Sequence, residues 1–410
     1  MQDNRRVTSP APSHPAPLPA ATHATILLLS CAAFFSGAAL RICDALLPRL
    51  AADFSRTPGA AGQVIISFSV AYGLMQLLFG PIGDRYGKAR LVCAAMFGCT
   101  AGAVACALAT GFDALVGMRV LWGMAAAGVI PVSMAWIGDA VPYEQRQAML
   151  ARLLTGVLAG MMGGQLAGGL FAESAWGWRG AFWLLAGGYA LVAALLLVRV
   201  RAMPAPEAVP GQVRLSFVAQ LVLVLRTPWA RVVLAAVMAE GIFLLGPMTY
   251  LPSYLHNRFG LSLASASALV ALYAVGGLAY ALLAARIVRR LGERRMAWSG
   301  GLMMGAGYLA LWLSPIGWLA GPVALWIGFG TYLFHNTLQT HATQMVPSVR
   351  GTAVALFAFC LFVGQAIGVS LAGYAYDHIG MLPLLLAPAL ALPLAGGLFA
   401  RALSRRSLSN

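Results

Sequence analysis

Apolar residues run through this chain in long blocks, and polar or charged residues gather in the short stretches between them. Twelve blocks of about twenty residues can be placed, each long enough to cross a hydrocarbon core as a helix. They lie near 24–47, 61–82, 90–110, 114–138, 149–172, 180–198, 230–252, 263–288, 297–314, 320–345, 351–375 and 381–400. The pattern predicts an all-α integral membrane protein with 12 transmembrane helices.

One longer polar interruption, from Arg201 to about Pro228 with Pro204, Pro206, Pro210 and Gly211, divides the blocks into six and six. Shifting the sequence by about 205 residues brings Gly87 onto Gly292, Gly123 onto Gly328, Val141-Pro142 onto Val346-Pro347, and Leu166-Ala167-Gly168 onto Leu371-Ala372-Gly373. Two pseudo-symmetric six-helix bundles are therefore expected. The expected organisation is a disordered tail over 1–23, a first bundle over 24–200, a linker over 201–229, a second bundle over 230–400 and a short tail over 401–410.

Composition sharpens this picture. With 60% apolar and 10% charged residues, the chain does not have the polar surface of a soluble globule. Its net charge of +15 would point to nucleic acid in a soluble protein. In a membrane protein, cations instead mark the loops that stay cytoplasmic and meet anionic lipid. With the N-terminus placed inside, 21 of the 27 Lys and Arg fall on the cytoplasmic side and 4 (Arg49, Arg56, Arg179, Arg258) on the other, leaving Arg41 and Arg119 within spans. A multi-pass inner-membrane protein with both termini cytoplasmic is the expectation. The first apolar block reads as a retained span rather than a signal peptide. The six cysteines fall inside apolar blocks without metal-ligand spacing, so no metal site is expected. No phosphate-binding loop and no nucleophile motif is found, so no enzymatic activity or ATP use is expected.

Between the second and third blocks lies Gly80-Pro-Ile-Gly83-Asp84-Arg85-Tyr-Gly87-Lys88-Ala-Arg90-Leu. Glycines and charges at this spacing resemble the loop motif between helices two and three of the major facilitator superfamily. Twelve spans in two halves with a basic linker strengthen the resemblance, which covers residues 24–400. In that family such an Asp clamps the halves on the cytoplasmic side, so the resemblance makes Gly80, Gly83, Asp84, Arg85, Gly87, Lys88 and Arg90 a gate. The mirror position of Asp84 holds Arg289.

A second match is Gly117-Met-Arg119-Val-Leu-Trp-Gly123, which resembles the family's Arg-x-x-x-Gly element. An Arg within a span needs a partner or water. Helix one brings Asp44 to a similar depth, with Arg41 one turn deeper, so Asp44, Arg41 and Arg119 are candidates for one charged cluster, either a static ion network or a proton-coupling site. Burial favours the neutral form of Asp44 and the two arginines favour its carboxylate.

The third match is a strip of Gly156, Gly160, Gly164 and Gly168 in helix five. It resembles the antiporter motif of the family's drug-efflux members, with Gln165 where the motif has Pro. In the second half, Glu240 is the most isolated acid, and His335 on helix ten comes to a comparable depth, as in a proton relay.

The resemblance implies a proton-coupled secondary transporter that exports small, largely apolar or amphipathic molecules by alternating access. It would use the proton gradient and no cofactor, with substrate, protons and the lipid bilayer as partners, and would act as a monomer. Uptake of a small organic anion is the alternative, since Arg41 and Arg119 attract a carboxylate. A non-transporting receptor or scaffold is the reading from another class.

Overall fold

The computed structural model of the chain describes residues 18–203 and 216–409. The expectations for residues 1–17 of the N-terminal tail and for the linker prolines Pro204, Pro206 and Pro210 lie outside those residues, whereas the last four positions expected to belong to a disordered tail, Ala20–His23, form the first turn of the first helix. The described chain is all-α, and eleven of its helices are long and apolar enough to span a membrane.

In chain order the spanning helices are α1 (Ala20–Arg41), α2 (Pro58–Gly80), α3 (Lys88–Ala107), α4 (Phe112–Ala140), α5 (Tyr143–Glu173), α6 (Gly177–Arg201) and α7 (Pro228–Phe259). After them, the continuous stretch Leu263–Leu313 has 51 residues. At 1.5 Å per residue a straight helix of that length would be more than twice as long as a bilayer core is thick. It breaks at Gly292, whose φ of 67° and ψ of 165° are not helical. Both sides of the break pack on the same part of the next helix, since Gly276 approaches Leu325 while Gly307 approaches Ile327. The chain thus doubles back at Gly292, giving α8 (263–291) and α9 (293–313). The last three spans are α10 (Gly317–Gln344), α11 (Pro347–His378) and α12 (Pro383–Arg406). Twelve crossings result among the described residues.

Gly87, the repeat partner of Gly292, makes the matching turn between α2 and α3 with φ 88°. A left-handed φ favours glycine at both places.

The expected linker and C-terminal tail both differ from the structure. The interruption after α6 contains a helix, Phe217–Arg226, capped by the Ser216 hydroxyl and ended before Pro228. The last helix also continues as far as Ser409, through the stretch expected to be a tail.

The helix-five glycines form the strip their spacing predicts, and it is pressed against α1. A Cβ on Gly156 would lie 2.6 Å from the Ser30 carbonyl oxygen, and one on Gly160, Gly164 or Gly168 would come closer still to the carbonyls of Phe34, Ala38 and Ile42. Small residues let helix backbones approach closely where no hydrophobic effect drives them together. The second half repeats this contact. Gly364 and Gly368 of α11 lie against the carbonyls of Met238 and Ile242 of α7. Each of these residues stands 204 positions after its counterpart, so Gly168 matches Ala372 rather than Gly373. The offset is 205 between α4 and α10, where Gly123 on Phe68 mirrors Gly328 on Tyr273. The sequence alignment of Leu166-Ala167-Gly168 with Leu371-Ala372-Gly373 is therefore one residue out of register.

Candidate functional site

Helix α1 ends at Arg41, six residues short of the expected boundary at 47, and the chain runs through a turn over 42–46 before the short helix Leu47–Asp53. Pro48 explains the break: it has no N–H for the carbonyl of Asp44, and its ring crowds that carbonyl. Asp44 therefore sits in a turn within the protein, fully buried, rather than on a helix face. Arg41 Nη1 donates to Asp44 Oδ2 at 3.2 Å, both side chains being almost wholly buried. Asp44 Oδ1 has no hydrogen-bond partner among the described residues.

Arg119 does not complete the expected cluster by contact. Its Nε donates to the Val64 carbonyl at 3.0 Å, and its guanidinium stands 4.1 Å from the Phe68 ring centre and 4.9 Å from that of Trp122. It remains within electrostatic reach of Asp44. Two aromatic faces and a backbone carbonyl hold this buried guanidinium without a counter-charge in contact, and its Nη1 has no hydrogen-bond partner among the described residues. This choice depends on the rotation of α4 about its axis, which sequence depth does not reveal.

In α7 the regular helix ends at Glu240, and the next five residues, Gly241–Leu245, form a π-helical turn before Pro247. Pro247 lacks the N–H that would close the ordinary helical bond to Phe243, and a π turn accommodates the defect. Gly241 lets this turn lie directly on α11, because a Cβ there would be 2.8 Å from the Gln365 nitrogen and closer to the Leu361 carbonyl. Glu240 is 1% exposed. Its Oε2 lies 2.9 Å from Nδ1 of His335, whose side chain is 21% exposed. The two sequence candidates of the second half are thus in direct contact. Such a pair can share one proton, the ring N–H donating to the carboxylate or the acid O–H donating to the ring nitrogen.

Beside Arg41 lies a small cavity lined by Arg41, Met161, Met162, Gln165, Met248, Val270, Ala271, Tyr273 and Ala274, which draws on both halves. Gln165, the departure from the antiporter motif, is 3% exposed and its Nε2 has no partner among the described residues. It lies within α5, which is helical from Tyr143 to Glu173. The residue that replaces a helix-bending Pro therefore lines the cavity.

At the Gly87 turn, the side chain of Asp84 lies outside the described residues, so the clamp expected of it is not visible. Lys88 pairs with Asp139 of α4, and Arg85 stands over the Tyr86 ring at 5.2 Å. Gly80 faces open space, Gly83 is in ordinary contact with its neighbours, and Arg90 is exposed. The mirror turn places Glu293 3.1 Å from His341 of α10.

Sequence reasoning did not single out Gln165 as a cavity residue, nor Gly364 and Gly368, whose four-residue spacing was a readable signal. It also passed over Glu173 and Asp377, which join the two halves: Leu263 N donates to Glu173, and Gly59 N and the Thr57 hydroxyl donate to Asp377.

Residues 29–369 match the sequence profile of the Major Facilitator Superfamily. A Bacillus subtilis protein named as an uncharacterized MFS-type transporter, YceJ, is 25% identical over 338 residues, covering 82% of this chain and 85% of that protein. The multidrug export protein EmrB of Haemophilus influenzae is 29% identical over 153 residues, which is 37% of this chain and 30% of that protein. Among solved structures, a D-xylose-proton symporter superposes with a TM-score of 0.74 at 14% identity, covering 93% of this chain and 97% of its own.

Proposed function

The chain belongs to the major facilitator superfamily of membrane transporters, and on that premise we propose that it exports small amphipathic molecules in exchange for protons. The reading places it in the inner membrane with both termini cytoplasmic, following the arginine distribution. The observation that carries proton exchange is the buried Glu240–His335 contact at 2.9 Å, next to the π turn of α7. A carboxylate and an imidazole in contact exchange one proton without leaving a strong charge alone in low dielectric. The π turn and Pro247 place a weakly braced backbone beside the pair, so proton loading can alter how α7 meets α11.

Export is supported by the resemblance of the helix-five glycine strip to the antiporter motif and by the similarity to EmrB, named as a multidrug export protein. The cavity suits amphipathic cargo, with methionines that adapt to varied apolar shapes and a polar edge of Arg41 and Gln165. That polar edge also supports a second reading, uptake of a small organic anion with protons. Both are transport reactions rather than enzymatic ones.

The test is purified protein in vesicles with an imposed pH gradient, offered lipophilic dyes such as ethidium in one series and small carboxylates in another. Dye movement against the proton gradient supports export by exchange. Carboxylate movement along with protons supports the second reading. Dye and carboxylate fluxes that ignore the gradient contradict proton coupling.

A further inference from the structure

Asp377 stands at the end of α11, in the second half, and reaches the start of α2, in the first. Its Oδ1 accepts from the Gly59 backbone N–H at 2.9 Å and its Oδ2 accepts from the Thr57 hydroxyl at 2.5 Å. The Thr57 oxygen in turn accepts from Ala60 N at 3.1 Å. Glu173 stands at the end of α5, in the first half, and reaches the start of α8, in the second, where its Oε1 accepts from Leu263 N at 2.5 Å.

The two contacts are images of each other in the internal repeat. Asp377 follows Glu173 by 204 residues, Leu263 follows Gly59 by 204, and Gly373 follows Gly169 by 204. Beside each carboxylate the same glycine position brings the halves together. A Cβ on Gly373 would lie 3.0 Å from the Gly59 Cα, and one on Gly169 would lie 2.6 Å from the Ser267 Cβ. Each carboxylate takes donors from a helix's first turn that have no partner within the helix, at its positive end. Both contacts lie at the Thr57 end of the molecule, opposite the Gly87 turn. At the Gly87 end, the Lys88–Asp139 and Glu293–His341 pairs each stay within one half.

We propose that Glu173 and Asp377 are a matched pair of positioning residues that latch the two halves at the Thr57 end and hold the transporter in the state closed there. The proposal rests on the reading of the chain as an alternating-access transporter. When the halves part, both carboxylates and the backbone donors they hold return to water. The net gain per latch is therefore modest, but two of them act on one equilibrium, and a two-state protein responds to small biases.

The test uses full-length protein with its native cysteines replaced and spin labels at positions 56 and 378, one on each half. Distance distributions are measured in lipid nanodiscs without substrate. Asp377→Ala and Glu173→Ala are each expected to raise the fraction of separated halves by roughly three- to tenfold, as for a partly solvated charge-assisted hydrogen bond. The double variant is expected to show about the product of the two. Thr57→Val, which removes one donor, shifts the fraction less and in the same direction. Arg258→Gln, a change at the same end that disturbs stacking only within the second half, leaves it unchanged. If either alanine variant is not monodisperse, Asp377→Asn and Glu173→Gln are read in the same way. A folded double variant with the wild-type distribution overturns the proposal. Because no substrate is present, that result would stand whatever the protein carries. Failure to move any compound, with distances that do respond, would count against the transport reading alone.

Discussion

The two halves each bury an acid near a proline-induced break in their first helix, and they provide for it differently. In the first half, Asp44 lies in the turn forced by Pro48 and is paired with Arg41, with Arg119 in electrostatic reach. In the second, Glu240 precedes the π turn before Pro247 and is paired with His335. An arginine stays charged at any ordinary pH. Protonating Asp44 would leave Arg41 as a lone buried cation, a costly change. The Glu240–His335 pair can gain or lose one proton and remain hydrogen-bonded throughout. On the reading proposed above, the difference is that a similar break in a similar helix serves structure in one half and proton exchange in the other.

If that contrast holds, the largest effect on stability comes from Asp44→Asn, which strands Arg41. It should lower stability by about 3–5 kcal/mol, read as loss of monodisperse protein and a fall in apparent melting temperature. Glu240→Gln should cost much less, because His335 becomes neutral with it. Equal losses in the two variants would erase the contrast.

Next in size are Gly160→Ala and Gly364→Ala, which occupy matching places in the two strips and crowd a backbone carbonyl in each. Each should cost about 1–3 kcal/mol by thermal melting, with similar values in the two halves. A large disparity would show that one strip tolerates separation. Arg119→Lys keeps the charge and loses the planar contacts to Phe68 and Trp122, and should cost about 1–2 kcal/mol. If Arg119 instead acts chiefly as a counter-charge to Asp44, the lysine variant will melt like the wild type. The smallest effect is expected from Lys88→Ala, whose partner Asp139 is 64% exposed, at under about 1 kcal/mol.

Much of this was legible in the sequence because a bilayer imposes length and polarity on every span. The blocks give the crossings, Gly87 and Gly292 mark equivalent turns, and the four-residue glycine spacing in α5 anticipates its packing on α1. Glu240 and His335 were readable as partners because an acid and a histidine at one depth in a bundle have few alternatives. Arg119 was not, since its carbonyl and aromatic partners depend on helix rotation rather than depth. The break before Pro48 was in principle readable, four residues upstream of the proline, but the apolar run masks it. Glu173 and Asp377 sit at helix ends, where acids are ordinary, and only the meeting of the two halves gives them partners. The side chain of Asp84, the most recognisable residue of the Gly80–Leu91 loop, lies outside the described residues.

The central claim is that protons are exchanged at Glu240. The direct measurement is transport in vesicles by wild type and Glu240→Gln, with and without an imposed pH gradient, alongside exchange of labelled for unlabelled substrate at equal pH. The account predicts that the variant keeps the exchange and no longer responds to the gradient. A variant that responds to the gradient as the wild type does would contradict it.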